Sequence, residues 1–142
     1  MKRVFGFVAA AVMVMMASVA FGNVQEFSKF TIDIPDGWTA KEDGPALGVI
    51  KDDQTASLTI AVDQLKPGDT FGDLAAAMSQ YMGGTTPEAD ADGDYTFTAQ
   101  NGQVVVLVTG DNNAGVYAAF TMFGLETQAE AIGEMVKSVK FK

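Results

Sequence analysis

Apolar residues in this chain recur at a spacing of two, then three-and-four, then two, then three-and-four again, and this succession restricts the fold more than any composition figure does. Phe30, Ile32 and Ile34 alternate with Thr31 and Asp33, the pattern of a strand with one buried face. Pro35-Asp36-Gly37 supplies the turn chemistry that stops it. A first strand is therefore predicted over 27–34, a second over 47–51, and a third over 57–62, with Asp52-Asp53-Gln54 joining the last two as a hairpin. At Thr70 the period changes. Thr70 and Asp73 have the spacing of a capping box, and Phe71, Leu74, Ala75, Met78, Tyr81 and Met82 fall on one helical face before Gly83-Gly84, which suits a left-handed helix end.

The second half repeats the order. Tyr95 to Ala99 alternates, Gln100-Asn101-Gly102 is a hairpin turn in which Asn-Gly accepts positive φ, and 103–109 returns as a strand. Its run Val104-Val105-Val106-Leu107-Val108 is apolar on both faces, which places it at the centre of a sheet covered on each side. Gly110 to Gly115 reads as a loop and 116–123 as a sixth strand. From Leu125 onward, Leu125, Ala129, Ile132, Val136 and Val139 recur at helical spacing, with Glu126 and Glu130 early and Lys137 and Lys140 late, matching the helix dipole. The expected fold is α+β, a six-stranded, mainly antiparallel sheet with two main helices in the order βββαβββα.

The N-terminus has a different character. Met1-Lys2-Arg3 precedes an uncharged run from Val4 to Ala20, with small residues at Ser18, Ala20 and Gly22, the layout of a cleavable secretory signal. Cleavage is expected after Ala20 or Gly22, making 1–22 a signal peptide and 23–142 one domain of a size that supports a single core. The small-residue flank favours processing over a retained membrane anchor. The protein is expected to be periplasmic or otherwise exported, and not an integral membrane protein once cleaved. No cysteine is present, so no disulfide contributes and stability rests on burial.

Charge and missing side chains narrow the function classes. The net charge is −9 and becomes more negative when Lys2 and Arg3 are removed, which argues against nucleic acid as a partner. There is no histidine, and Arg3 is the sole arginine. A histidine-based triad, a thiolate nucleophile, an ordinary zinc site and a bidentate guanidinium clamp are thereby excluded from the domain. A non-enzymatic accessory or binding protein of the envelope, engaging an unknown envelope protein or a small ligand, is the leading expectation. A carboxylate-dependent hydrolase of the glycosidase kind is the alternative, using Asp33 or Asp63 with another acid.

Phe30-Thr31-Ile32-Asp33-Ile34-Pro35-Asp36-Gly37-Trp38 resembles the opening strand and Pro-x-Gly-Trp turn of the PsbP-like superfamily, which includes photosystem II extrinsic proteins and bacterial periplasmic relatives. The ending Met135 to Phe141 is similar to that group's closing helix and tail. The resemblance spans nearly the whole domain and implies an antiparallel sheet with helices packed on it, in an α/β/α arrangement. It implies no reaction, and it carries over no catalytic residue and no cofactor.

One segment has metal-binding chemistry. Asp90, Asp92 and Asp94, with Glu88 nearby, could converge on calcium, since they fit the first acidic positions of a helix-loop-helix calcium loop. Tyr95 stands where that loop has glycine and Asn101 where it has a bidentate glutamate, so a weak calcium module competes with a solvated acidic turn. Trp38 reads as a core anchor rather than a stacking platform. Met78, Met82, Met122 and Met135 read as packing rather than a copper(I) site. Lys137, Lys140 and Lys142 read as a solvated helix end. Two helices need not cover the whole sheet, which would leave an apolar strip between polar edges such as Thr31, Asp33, Thr96 and Thr98.

Overall fold

The structure, a computed structural model, describes residues 23–27, 29–44, 46–111 and 114–141. The signal segment with its cleavage sites, Lys142, and Asn112-Asn113 of the loop after the fifth expected strand lie outside the described residues. The fold is α+β, with ten strands among the described residues rather than six, arranged in two sheets. The strands are β1 (Asn23–Glu26), β2 (Phe30–Ile34), β3 (Trp38–Asp43), β4 (Ala46–Lys51), β5 (Ser57–Gln64), β6 (Glu88–Ala89), β7 (Tyr95–Ala99), β8 (Val104–Asp111), β9 (Val116–Phe123) and β10 (Lys140–Phe141). The helices are α1 (Phe71–Met82) and α2 (Leu125–Ser138).

The large sheet has the order β3-β4-β5-β9-β8-β7-β6, and the small one β1-β2-β10; every pairing is antiparallel. The expected single sheet fails at its first strand. β2 belongs to the small sheet, where it is central, and its place at the edge of the large sheet is taken by β3. As an edge strand, β3 needs only one modest apolar face. Trp38 and Ala40 pack inward while Thr39, Lys41 and Glu42 are exposed, and this charge-rich pattern reads as a loop in sequence. The apolar run of β8 lies within the sheet as expected, although β9 occupies the middle position.

Because directly paired residues of antiparallel strands share a face, the registers sort the side chains into two layers. Leu47 and Val49 of β4, Leu58, Ile60 and Val62 of β5, and Ala118, Phe120 and Met122 of β9 form one core with Phe30, Ile32 and Ile34 of β2 and with Ile132 and Met135 of α2. On the opposite face, Phe97, Ala99, Val104, Val106, Val108 and Ala119 pack with Phe71 and Ala75 of α1. The large sheet is thus covered by α1 on one side and by the small sheet with α2 on the other.

Local chemistry sets the helix limits. Thr70 and Asp73 form the reciprocal capping box, each side chain accepting from the other's backbone amide at 3.0 and 3.1 Å. Gly83 closes α1 in the left-handed conformation. Tyr81 is 92% exposed, not part of the buried face, because it sits about a quarter turn round from the line Phe71, Ala75, Met78, Met82. In α2 the buried residues are Ile132 and Met135, while Ala129 is exposed. The helix is kinked at Gln128, whose φ of −123° and ψ of 24° are non-helical, so the phase set by Leu125 is not carried into the second part.

Candidate functional site

The cleft that gathers the most chemistry lies between β2 and the last turns of α2. β10 pairs with β2 only at Phe30 and Thr31, so the ladder on that side of β2 ends before Asp33. Ser138, the last residue of α2, takes over. Its Oγ accepts a 2.9 Å hydrogen bond from the Asp33 amide and donates a 2.7 Å bond to the Met135 carbonyl, the back-bonding geometry open to serine in a helix. Ile32 and Ile34, on either side of Asp33, point into the core at 0% and 1% exposure. By strand alternation the Asp33 side chain points the other way, where it lines a cleft of about 470 Å3 with Pro35, Ala131, Glu134, Met135, Lys137 and Ser138. That volume falls in the range of small-molecule sites.

The cleft has a polarised character. Asp33 is half-buried, its Oδ1 is shut from solvent, and among the described residues that oxygen has no hydrogen-bond partner. Burial accordingly pushes the Asp33 carboxyl above the usual aspartate range, because the charged form loses hydration without compensation. Glu134 and Lys137 stand at the rim as an i,i+3 pair at 3.9 Å, with their side chains 72% and 78% exposed. The Ser138 hydroxyl is engaged both as donor and as acceptor, so it is not poised as a nucleophile towards the cleft. Pro35, Ala131 and Met135 provide the apolar part of the wall.

The remaining sequence-derived candidates are dispersed. Asp63 does not line the cleft; its Oδ1 meets Lys29 at 3.3 Å and accepts from the Gln64 amide at 2.8 Å, and these contacts, the amide first, lower its pKa. Asp90 accepts through Oδ1 from the amides of Asp92 and Asp94 at 2.9 and 3.0 Å, closing its own turn, and Asp94 accepts from the Thr109 hydroxyl at 2.7 Å. Glu88 sits on the two-residue strand β6. Among the described residues no group of three or more His, Cys, Asp or Glu side chains is placed to hold a metal ion. Met78 and Met82 pack on the α1 side and Met122 and Met135 on the other, so the four methionines form no common cluster. Trp38 packs against the core as half-buried cover, and Lys140 is exposed.

A second surface follows from how the large sheet is covered. On the α1 side, the helix lies over β7, β8 and part of β9, and the same face of β3, β4 and β5 carries no helix. There Thr39, Ile50, Ser57 and Phe123 form one cross-strand row, with Ile50 49% and Phe123 40% exposed. The expected strip between Thr31, Asp33, Thr96 and Thr98 is not formed. Thr31 is buried and, with Asp33, belongs to the small sheet, whereas Thr96 and Thr98 flank half-buried Val105 and Leu107 on the large one.

Glu134 and Ser138 were not singled out by the sequence. The Asp33–Ser138 contact joins residues 105 positions apart, and the only trace of it is the small polar residue just before the closing Val139-Lys140-Phe141.

No family model and no curated protein matches the chain. Among solved structures, it is similar to a point mutant of the protein Mog1, with a TM-score of 0.51 and 10% sequence identity over 81% of this chain and 95% of that one. At that identity the likeness is one of fold, and it accords with the α+β class. Among the described residues no helix is long and apolar enough to cross a membrane.

Proposed function

We propose that the chain is an exported, non-enzymatic binding protein of the bacterial envelope, acting in the periplasm and seating its ligand or partner segment in the cleft between β2 and α2. The observation that carries this reading is the Asp33 carboxylate, held at the wall of a ligand-sized cleft with one buried oxygen that has no donor among the described residues. A carboxylate whose charge is partly desolvated is stabilised by a cation or donor brought to the part of it that faces the cleft. Export rests on the character of residues 1–22, and the absence of histidine, cysteine and domain arginine supports binding over catalysis. The Pro-x-Gly-Trp opening supports membership of the PsbP-like superfamily, to whose fold that of Mog1 is related.

The test is capture from the protein's own envelope extract, comparing the natural chain with Ala131→Trp, which fills the cleft from a half-buried helical position. Molecules retained by the natural chain and lost with Ala131→Trp, at unchanged melting behaviour, support the proposal. Equal retention by both contradicts it. One feature favours the hydrolase alternative: Asp33 and Glu134 place two carboxyl groups on the same cleft. Turnover of chromogenic glycosides that is abolished by either Asp33→Asn or Glu134→Gln would establish it in place of the binding reading.

A further inference from the structure

We infer that the cleft takes an aliphatic primary ammonium group, with the cation against Asp33 and the hydrocarbon chain along Pro35, Ala131 and Met135. This inference rests on the reading of the cleft as a binding site and adds the chemistry of its ligand. Three charged side chains line the cleft, and two of them, Glu134 and Lys137, are already paired with each other. Among the described residues the charge in the cleft left without a counterpart is that of Asp33, whose Oδ1 is buried without a hydrogen-bond donor.

An ammonium group supplies the missing positive charge and brings N–H donors to the part of the Asp33 carboxylate that faces the cleft, which also relieves the charge shared with the buried Oδ1. A carboxylate ligand would add repulsion to an acceptor that already lacks a donor, and an alcohol would supply the donor without the charge. The rest of the molecule acts in the same direction, since a net charge of −9 raises the local concentration of cations and lowers that of anions. The remaining wall residues offer methyl, methylene and thioether surface, which suits an unbranched alkyl chain.

Three probes with one hydrocarbon chain and different head groups isolate this chemistry: n-butylammonium, 1-butanol and butyrate, each titrated into the purified protein while the backbone amides are followed by NMR. Butylammonium is expected to shift the Asp33 and Ser138 amides saturably in the millimolar range. Asp33→Asn is expected to weaken it about tenfold or more, with the amides of the opposite core unmoved as evidence that the fold persists. Lys137→Gln is expected to tighten binding by removing a positive charge from the cleft rim and leaving Glu134 as a second anion beside the ammonium group.

The inference is overturned if butanol or butyrate binds as tightly as butylammonium, if Asp33→Asn leaves the affinity unchanged, or if butylammonium causes no saturable shift at these amides. Should fragments of another class seat in the cleft where butylammonium does not, the ligand chemistry is wrong and the binding site stands. Should no class of fragment seat there, both readings fall.

Discussion

Replacing Gly124 with alanine is expected to destabilise the protein by about 2–5 kcal/mol, whereas the same replacement nine residues later, inside α2, is expected to stabilise it. Gly124 precedes α2 with φ +88°, and a Cβ there would lie 2.5 Å from the Thr55 carbonyl oxygen and 2.7 and 2.8 Å from Cβ and Cα of Ala56. The left-handed backbone costs an L-residue about 1–2 kcal/mol. The contacts are mostly with backbone, which cannot swing aside, and overpacking of this kind adds about 1–3 kcal/mol. The total is a large share of the roughly 5–15 kcal/mol that holds a domain together, and for a chain of this size it lowers the melting temperature by roughly 10–20 °C.

Gly133 sits within α2, and a Cβ there meets nothing within 4 Å. Gly133→Ala therefore raises stability by about 0.5–1 kcal/mol through helix propensity alone. Thermal and urea unfolding followed by circular dichroism measures both variants. Equal effects, or a Gly124→Ala protein as stable as the natural one, would refute the account of how α2 is seated against the turn before β5.

Three further outcomes are expected. The raised pKa of Asp33 means that the native state binds its proton more readily than the unfolded chain does. Its contribution is fully present below the ordinary aspartate value of 3.8 and is lost as pH rises through the folded-state pKa. Asp33→Asn should thus be more stable than the natural protein at neutral pH, with the difference vanishing below about pH 3.8, as read from urea midpoints across pH. Thr70→Ala removes one half of the capping box and should cost about 1 kcal/mol, with Thr70→Ser recovering most of it. Calcium at millimolar concentration should leave the melting temperature unchanged, because the Asp90 oxygen is engaged in its own turn and Asp94 is held by Thr109.

The parts of the fold that could be read from the sequence were those with local causes. The capping box at Thr70 and the Asn101-Gly102 turn each depend on neighbours within a few residues and have their counterparts in the structure, and the apolar run Val104 to Val108 has one face buried and the other half-buried. Strand β3 escapes notice because an edge strand can satisfy half its backbone with water, so Glu42 can stand at the position after Trp38 and Ala40 where alternation leads one to look for an apolar residue. The small sheet was missed because β1 and β10 have four and two residues, too few to show a period.

The cleft was legible only at Asp33. Its burial depends on α2 returning beside β2, and the proximity of Ser138 and Glu134 to Asp33 is set by tertiary docking rather than by spacing along the chain. The kink at Gln128 had no sequence signal of its own, since neither proline nor a Gly/Ser pair stands at that position.

The central claim, that the space between β2 and α2 is where this protein binds, is tested most directly by mapping amide shifts on the whole molecule against a chemically mixed set of small fragments. The account predicts saturable shifts concentrated on Asp33 and on 131–138. Shifts concentrated instead on the uncovered face around Ile50 and Phe123, or the absence of any saturable shift at Asp33 and Ser138, would contradict it.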